Sequence, residues 1–277
     1  MKNVFKNLTF VLFGFGFLLL VGCNTDENND PSADTFSSED SARAAKTDNI
    51  VEGALNIMEQ AFVEKELEAK SAGGFSLFPE CTVITVGTQG NQLTILLDFG
   101  NFCVLNNGSV VSGKIAMVYG PLLSGTYTVT YSFEEFIYNG NGVSGGGEIF
   151  YEIANQNGNP QSTVNESITV SFPNTTVTGT RNGMRTSEWV EGVGSGTWLD
   201  NVYHITGNWD TNFTNGFQRS GEVTSTIVRK LSCLYLVSGR LEVSQDGLNA
   251  AIDFGDGKCD NKAIIILNGH EFPIIMI

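Results

Sequence analysis

Cysteines are the residues of this chain with the clearest chemistry, because a thiol can be acylated or oxidised to a disulfide. Four of the five bracket two copies of one pattern, a half-buried strand that ends in Asp-Phe-Gly a few residues before the second cysteine. The first copy runs from Cys81 to Cys103 and the second from Cys233 to Cys259, separations of 22 and 26 residues. The repetition predicts two similarly built units.

The fifth cysteine, Cys23, follows a segment typical of an export signal. Lys2 and Lys6 precede an uncharged apolar run from Leu8 to Val21, which is 14 residues long. A membrane-spanning helix needs about 20 apolar residues, so this run is too short to span. Its end, Leu20-Val21-Gly22-Cys23, resembles a bacterial lipoprotein signal, in which small residues precede the cysteine that is acylated.

We therefore expect residues 1–22 to be a lipoprotein signal peptide and Cys23 to carry palmitate as a membrane anchor. Stable anchoring takes at least two acyl chains and needs no spanning helix. The alternative is a cleaved signal followed by a chance cysteine. The expected location is the outer membrane, on its periplasmic face or at the cell surface.

Residues 23–48 are predicted to form a flexible acidic tether. The segment is rich in Asn, Asp, Ser and Glu, and Phe36 is its only aromatic residue, so it has little apolar surface to bury. Its opening, Asn24-Thr25-Asp26-Glu27, resembles the acidic stretch that follows the lipid cysteine in many surface-exposed lipoproteins of the Bacteroidetes type.

The chain is strongly acidic, and this limits its partners. Loss of Lys2 and Lys6 with the signal leaves 13 basic and 30 acidic residues, a net charge of −17 compared with −15 for the whole chain. Nucleic acid and anionic headgroups would be repelled. The expected partners are the membrane, through the lipid anchor, and either a glycan or other envelope proteins.

One helix is predicted, over residues 49–70. Asn49-Ile50-Val51-Glu52 has the form of a capping box, and Gly73-Gly74 marks the end. Apolar residues follow at helical spacing on one face, which we expect to pack on the sheet: Val51, Ala54, Leu55, Met58 and Phe62.

Everything after Gly74 alternates between apolar and polar residues. In residues 126–133, for example, Tyr, Val and Phe side chains alternate with Thr and Ser. Dipeptides of the Asn-Gly type, which favour tight hairpins, separate about fourteen such runs. The predicted fold of residues 49–277 is mainly β, a large antiparallel meander sheet with one N-terminal helix.

The predicted sheet must curl or fold into a sandwich-like form unless it binds something. Fourteen strands spaced at about 4.8 Å would be roughly 65 Å wide when flat. A helix over residues 49–70 would span only about 33 Å. One helix cannot cover so wide a face.

With Cys23 acylated, the other four cysteines allow three disulfide pairings, or they stay reduced. Export favours oxidation. The repetition selects Cys81 with Cys103 and Cys233 with Cys259. Each bridge would add about 3 kcal/mol by restricting the unfolded chain.

The repeated motifs carry a resemblance to a family of uncharacterised Bacteroidetes lipoproteins. The second copy contributes Cys233-Leu-Tyr-Leu-Val-Ser-Gly-Arg-Leu-Glu-Val243 and Ala251-Ile-Asp-Phe-Gly-Asp-Gly-Lys-Cys-Asp-Asn-Lys-Ala263, and the first contributes Leu97-Asp-Phe-Gly-Asn-Phe-Cys103 and Ser112-Gly-Lys-Ile115. The first copy lacks the Asp-Gly before its cysteine. The resemblance implies envelope localisation and β architecture, and it transfers no activity.

The sequence lacks catalytic motifs, so we expect that the protein is not an enzyme and that it needs no cofactor. Asp-Phe-Gly lacks the phosphate loop, strand lysine and His-Arg-Asp loop of a kinase. The only histidines, His204 and His270, are far apart, and the adjacent Glu134 and Glu135 are expected on opposite strand faces.

Two sets of residues could bind a ligand. One set lies around a Gly-rich turn and could bind calcium: Asp253, Asp256 and Asp260. The alternative is a turn stabilised by local side-chain hydrogen bonds. A second set could stack on sugars: Trp189, Trp198 and Trp209. The alternative is that these side chains pack in the hydrophobic core.

The expected function is that of an envelope lipoprotein acting as a binding or structural surface component. The alternatives are a glycan-binding module, a carrier of lipid or another hydrophobic ligand on an open concave sheet and, less favoured, a hydrolase.

Overall fold

The computed structural model of the chain describes residues 38–68, 76–90, 92–195 and 199–276. The predicted signal peptide, Cys23 and residues 24–37 of the predicted tether lie outside these ranges. Within them, no helix is both long enough and apolar enough to cross a membrane.

The described residues form one helix and fourteen strands. The helix α1 spans Ser38–Glu68. The strands are β1 Val83–Gln89, β2 Gln92–Asp98, β3 Cys103–Val104, β4 Val110–Tyr119, β5 Thr126–Tyr138, β6 Asn141–Glu152, β7 Gln161–Ser171, β8 Thr178–Glu191, β9 Val202–Phe213, β10 Gln218–Lys230, β11 Ser238–Gln245, β12 Leu248–Asp256, β13 Lys262–Leu267 and β14 His270–Ile275.

All fourteen strands form one open antiparallel sheet, which confirms the predicted meander. The strands follow chain order from edge strand β1 to edge strand β14, except that the short β3 pairs with β4 beside this path. Asn139 and Asn268 adopt positive φ angles of 48° and 51°, and the glycine that follows each has a φ of 77°. These are the backbone angles that two-residue hairpin turns require, so the Asn-Gly signal was correctly interpreted at both turns. It was wrong for Asn182-Gly183, another dipeptide of this type, which lies inside β8 and pairs with both neighbouring strands.

The helix begins at Ser38, eleven residues before the predicted start at Asn49. The prediction of a flexible tether was therefore wrong for residues 38–48. Glu39 and Asp40 both form ion pairs with Arg43 in the first turns, where acidic residues also favour the helix dipole. The polar composition of residues 38–48, which is typical of a linker, is here the composition of a helix N-terminus.

The sheet curls around α1. Buried positions lie all around the helix rather than along the single predicted stripe, and they include Ala44, Asp48, Ile50, Val51, Ala54, Leu55, Ile57, Met58 and Ala61. The side chain of Phe62 is outside the described set. Residues 50–58 of the helix are buried on all sides except at the half-buried Glu52, so the sheet must surround this part of α1. The sheet therefore curls, as expected for a sheet of fourteen strands.

Glycines make room for large side chains that project from neighbouring strands of the curled sheet. On the face that contacts α1, here called the inner face, Trp209 lies opposite Gly183 on one side and Gly221 on the other. A Cβ atom on Gly221 would overlap the Trp209 ring, and one on Gly147 would lie 2.7 Å from the Tyr131 hydroxyl. Each large side chain therefore lies across a glycine of the neighbouring strand.

Both predicted disulfides are present, Cys81–Cys103 and Cys233–Cys259, with Cα–Cα distances of 5.5 and 5.2 Å. The first joins the chain just before β1 to β3, and the second joins the β10–β11 connection to the β12–β13 connection. Each bridge therefore ties together chain segments that are separated by intervening strands.

Candidate functional site

The two Asp-Phe-Gly motifs fold in the same way. Asp98 accepts a hydrogen bond from the Gly100 N–H at 2.9 Å, and Asp253 accepts one from the Gly255 N–H at 2.9 Å. Both glycines adopt positive φ angles, and the phenylalanine between Asp and Gly is buried in each copy. The hydrogen bond to Gly100 lowers the pKa of Asp98, with a smaller contribution from Lys114. The motif therefore carries the same side-chain cap in both copies, but it ends the strand only in the first, because β2 ends at Asp98 and β12 continues to Asp256.

The three calcium candidates make local contacts instead of converging. In addition to the Asp253 cap, Asp256 pairs with Lys258 at 2.7 Å, and Asp260 accepts a hydrogen bond from the Lys262 N–H at 3.0 Å. The described part of the chain contains no group of three or more metal-binding side chains. The arrangement corresponds to the turn alternative.

The tryptophan candidates are not brought together. Trp189 and Trp209 are both half-buried on the inner face, and Trp198 lies outside the described residues. Trp189 stacks on Tyr203 with ring centroids 6.0 Å apart, and its indole N–H donates to the Glu191 carbonyl oxygen. Six residues along β9, or about 20 Å, separate Tyr203 from Trp209. The two described indoles form no common platform.

The remaining titratable candidates form no constellation. His204 and His270 are exposed on separate strands, β9 and β14. Glu134 and Glu135 are both exposed beside a β-bulge, where Glu135 has a φ of 48°. His204 lies opposite Glu188 of β8, but these four residues form no acid and base pair with one another.

A buried cluster of six charged side chains joins α1 to the inner face. This cluster, here called the ion network, consists of Asp48, Glu52, Glu166, Arg181, Arg185 and Arg219. Arg181 lies at its centre, 3.5 Å from Asp48, 3.0 Å from Glu52 and 2.8 Å from Glu166. Arg185 reaches Glu52 at 2.8 Å, and Arg219 reaches Asp48 at 2.9 Å. The Arg181 guanidinium also lies 4.8 Å from the centre of the Trp209 ring.

The pKa values of the three acids respond differently to burial. Desolvation raises the pKa of Asp48 and of Glu166, despite their arginine neighbours. Desolvation acts on Glu52 too, but Arg185 and Arg181 outweigh it and lower the pKa of Glu52. With three acids and three arginines, the network is balanced when every group is charged.

Sequence reasoning missed this network because its members are remote along the chain. Glu52 and Arg181 are 129 residues apart, and Asp48 and Arg219 are 171 residues apart. One signal was available, since Arg181 and Arg185 interrupt inner-face positions of β8. Helix α1 thus occupies the inner face through charged as well as apolar contacts.

The opposite face of the sheet, here called the outer face, carries a shallow groove across β9–β13. The outer groove has a volume of about 640 Å³. Cross-strand pairing aligns one row of residues, Asn208, Glu222, Glu242, Ala251 and Ile266, and a second row, Asp210, Ser220, Ser244 and Asn249. Arg240 lies beside them, 3.4 Å from Glu242.

The outer groove suits a hydrophilic ligand. Carboxylates, amides and hydroxyls line it, and apolar residues, among them Val243, Ala250, Ala251 and Ile266, form nearly half of its surface. Three acidic groups and one arginine give it a net negative charge, which disfavours anions.

Comparison of the chain with protein-family models, with curated proteins and with solved structures found no match. The resemblance to Bacteroidetes lipoproteins therefore stays a prediction.

Proposed function

We propose that the protein is a membrane-anchored envelope lipoprotein that acts as a binding or structural surface component without catalysis. The structural observation that carries this role is that α1 occupies the inner face and is held there by the ion network. A carrier of large apolar ligands would need that face open. The outer face is left for contact with other molecules.

The lipid anchor is supported by the apolar run from Leu8 to Val21 and the Gly22-Cys23 junction. Two disulfides are also typical of an exported protein. Labelling cells with an alkyne analogue of palmitate tests the anchor. We expect label and membrane fractionation for the wild type and loss of both for Cys23→Ala. Label that persists in Cys23→Ala would contradict the proposal.

The surface role is tested in cells by comparing a gene deletion with a chromosomal Cys23→Ala replacement. We expect both strains to show the same change in detergent sensitivity or in growth on a polysaccharide, because a component that works at the membrane fails when it is released. A deletion strain that matches the parent under all of these conditions would argue against an envelope role.

The outer groove favours a second candidate, a glycan-binding module. Sugar hydroxyls pair well with carboxylates, amides and arginine, and a ring face can rest on Ala251 and Ile266. Calorimetry with a panel of neutral oligosaccharides tests this. We expect at least tenfold weaker binding for Glu222→Ala and unchanged binding for Glu148→Ala, an exposed outer-face control on β6. Equal affinities for the two variants would exclude the groove.

A further inference from the structure

The open sheet has two edges, and only one of them is protected against pairing with another strand. Exposed edges invite association, and proteins normally blunt them with proline, charge or bulges. At the β14 edge, Met276 donates its N–H to the Asn261 carbonyl at 2.7 Å, on the β13 side. Because backbone groups alternate in direction along a strand, Pro273 directs its backbone to the free side.

The β14 edge therefore lacks a hydrogen-bond donor in the middle of the strand, since proline has no N–H. The strand also carries the exposed charged side chain of Glu271. These two features make β14 a poor template for an added strand.

The β1 edge has none of these protections. Its seven residues, Val-Ile-Thr-Val-Gly-Thr-Gln, contain no proline and no charge, and its pairing with β2 has no register shift. Val83 and Val86 are 60% and 51% exposed. Within the described residues, β2 is the only strand that pairs with β1.

The β1 strand is also held in place before any partner arrives. Cys81, two residues before β1, is bonded to Cys103, which pairs with Val111 of β4. At the other end of β1, Gln89 pairs with Gln92 of β2. A strand fixed at both ends loses little conformational entropy when a second strand adds to it.

We propose that β1 is a dimerisation edge that pairs antiparallel with β1 of a second copy of this chain. Full overlap places the two-fold axis at Val86, so that Val86 lies opposite its own copy and Thr85 lies opposite Gly87 of the second copy. An antiparallel two-fold pair brings equivalent residues together, and an uncharged strand accepts this without like-charge repulsion.

The contact is small, and this sets the expected affinity. Seven residues extend about 24 Å, and such a strip buries less than a standard interface of about 800 Å² per partner. We expect a dissociation constant roughly in the micromolar range. The inference is independent of the lipid anchor and of the outer groove.

Cysteine crosslinking of the purified full chain tests the pairing. Val86→Cys forms a disulfide-linked dimer on mild oxidation, because the two Val86 positions are in register. Two controls of similar exposure stay monomeric: Val83→Cys, about 20 Å from its own copy in this register, and Phe272→Cys on the protected β14 edge.

Light scattering of the purified full chain in detergent gives an independent measurement. The wild type shows a dimer mass at about 100 μM, well above a micromolar dissociation constant. Val86→Lys shows a monomer mass with an unchanged Tm. A monomeric wild type, or crosslinking of Val86→Cys no stronger than that of the two controls, overturns the proposal.

Discussion

Single atoms decide how closely the strands pack on the inner face. Gly221 has an ordinary extended backbone, so any effect of adding a side chain there comes from contact alone. A Cβ atom at this position would overlap the Trp209 ring, which lies across the glycine.

We expect Gly221→Ala to lower the free energy of unfolding by about 1–3 kcal/mol, the usual cost of overpacking. In a Trp209→Leu background the same change should cost less than about 1 kcal/mol, because the ring is gone. Urea unfolding measures both. Gly87→Ala is the control, since its Cβ would meet only the Thr94 hydroxyl, at 3.1 Å. Equal costs in both backgrounds would contradict the ring contact.

Glu188 shows how a loop is fixed by one carboxylate. The side-chain amides of Asn155, Asn157 and Asn159 donate to the same Glu188 oxygen at 2.9, 3.0 and 2.9 Å. These hydrogen bonds lower the pKa of Glu188 from 4.5 to about 2. The charged carboxylate therefore organises the β6–β7 connection.

The depressed pKa predicts a pH dependence of stability. Glu188 stabilises the folded state fully above pH 4.5, and the contribution is lost as pH falls through about 2. Solvent screening limits it to about 1 kcal/mol or less. The Tm difference between the wild type and Glu188→Gln should stay constant from neutral pH to about 5 and shrink below 4.5. A difference that is unchanged down to pH 2 would contradict this assignment.

At the scale of elements, Arg181 decides how α1 docks in the curled sheet. Its side chain is 7% exposed and serves three acids. Arg181→Met leaves these carboxylates with too little positive charge, and we expect a loss of about 3–5 kcal/mol in the free energy of unfolding.

Arg185→Met is the matched control, because Arg185 is 35% exposed and contacts Glu52 at the edge of the ion network. We expect it to cost about 1 kcal/mol. Urea unfolding followed by circular dichroism compares the two variants. Equal losses would show that the central position of Arg181 has no special role.

The strands could be read from the sequence because each one depends on local signals. Alternation and Asn-Gly turns act within ten or fifteen residues, and the meander joins each strand to its neighbour in the chain. The pairing of Cys81 with Cys103 followed from repetition in the same local way.

The helix boundaries and the ion network could not be read in this way. The burial of Asp48 depends on Arg219, 171 residues away, and no periodicity reports such a partner. The outer groove was missed for a similar reason, because it combines five strands whose exposed residues look like ordinary surface. Contacts between remote segments were therefore the part that sequence patterns did not supply.

At the scale of the whole molecule, the two disulfides constrain separate regions. Their loops of 22 and 26 residues are similar, so each should contribute about 3 kcal/mol. We expect Cys81→Ser/Cys103→Ser and Cys233→Ser/Cys259→Ser to lower stability by similar amounts. Their combination should be additive within about 0.5 kcal/mol, because the two bridges lie at opposite ends of the strand order. A Tm that is insensitive to reduction would contradict both contributions.

Strand order has a consequence for the sequence of events in folding. Each hairpin closes a short loop, so the sheet can grow progressively as a zipper from any point along the chain. Helix α1 precedes all the described strands in the chain, yet its arginine partners belong to β8 and β10. Its carboxylates can therefore pair with these arginines only after most of the polypeptide has been synthesised, and docking of α1 completes the native state.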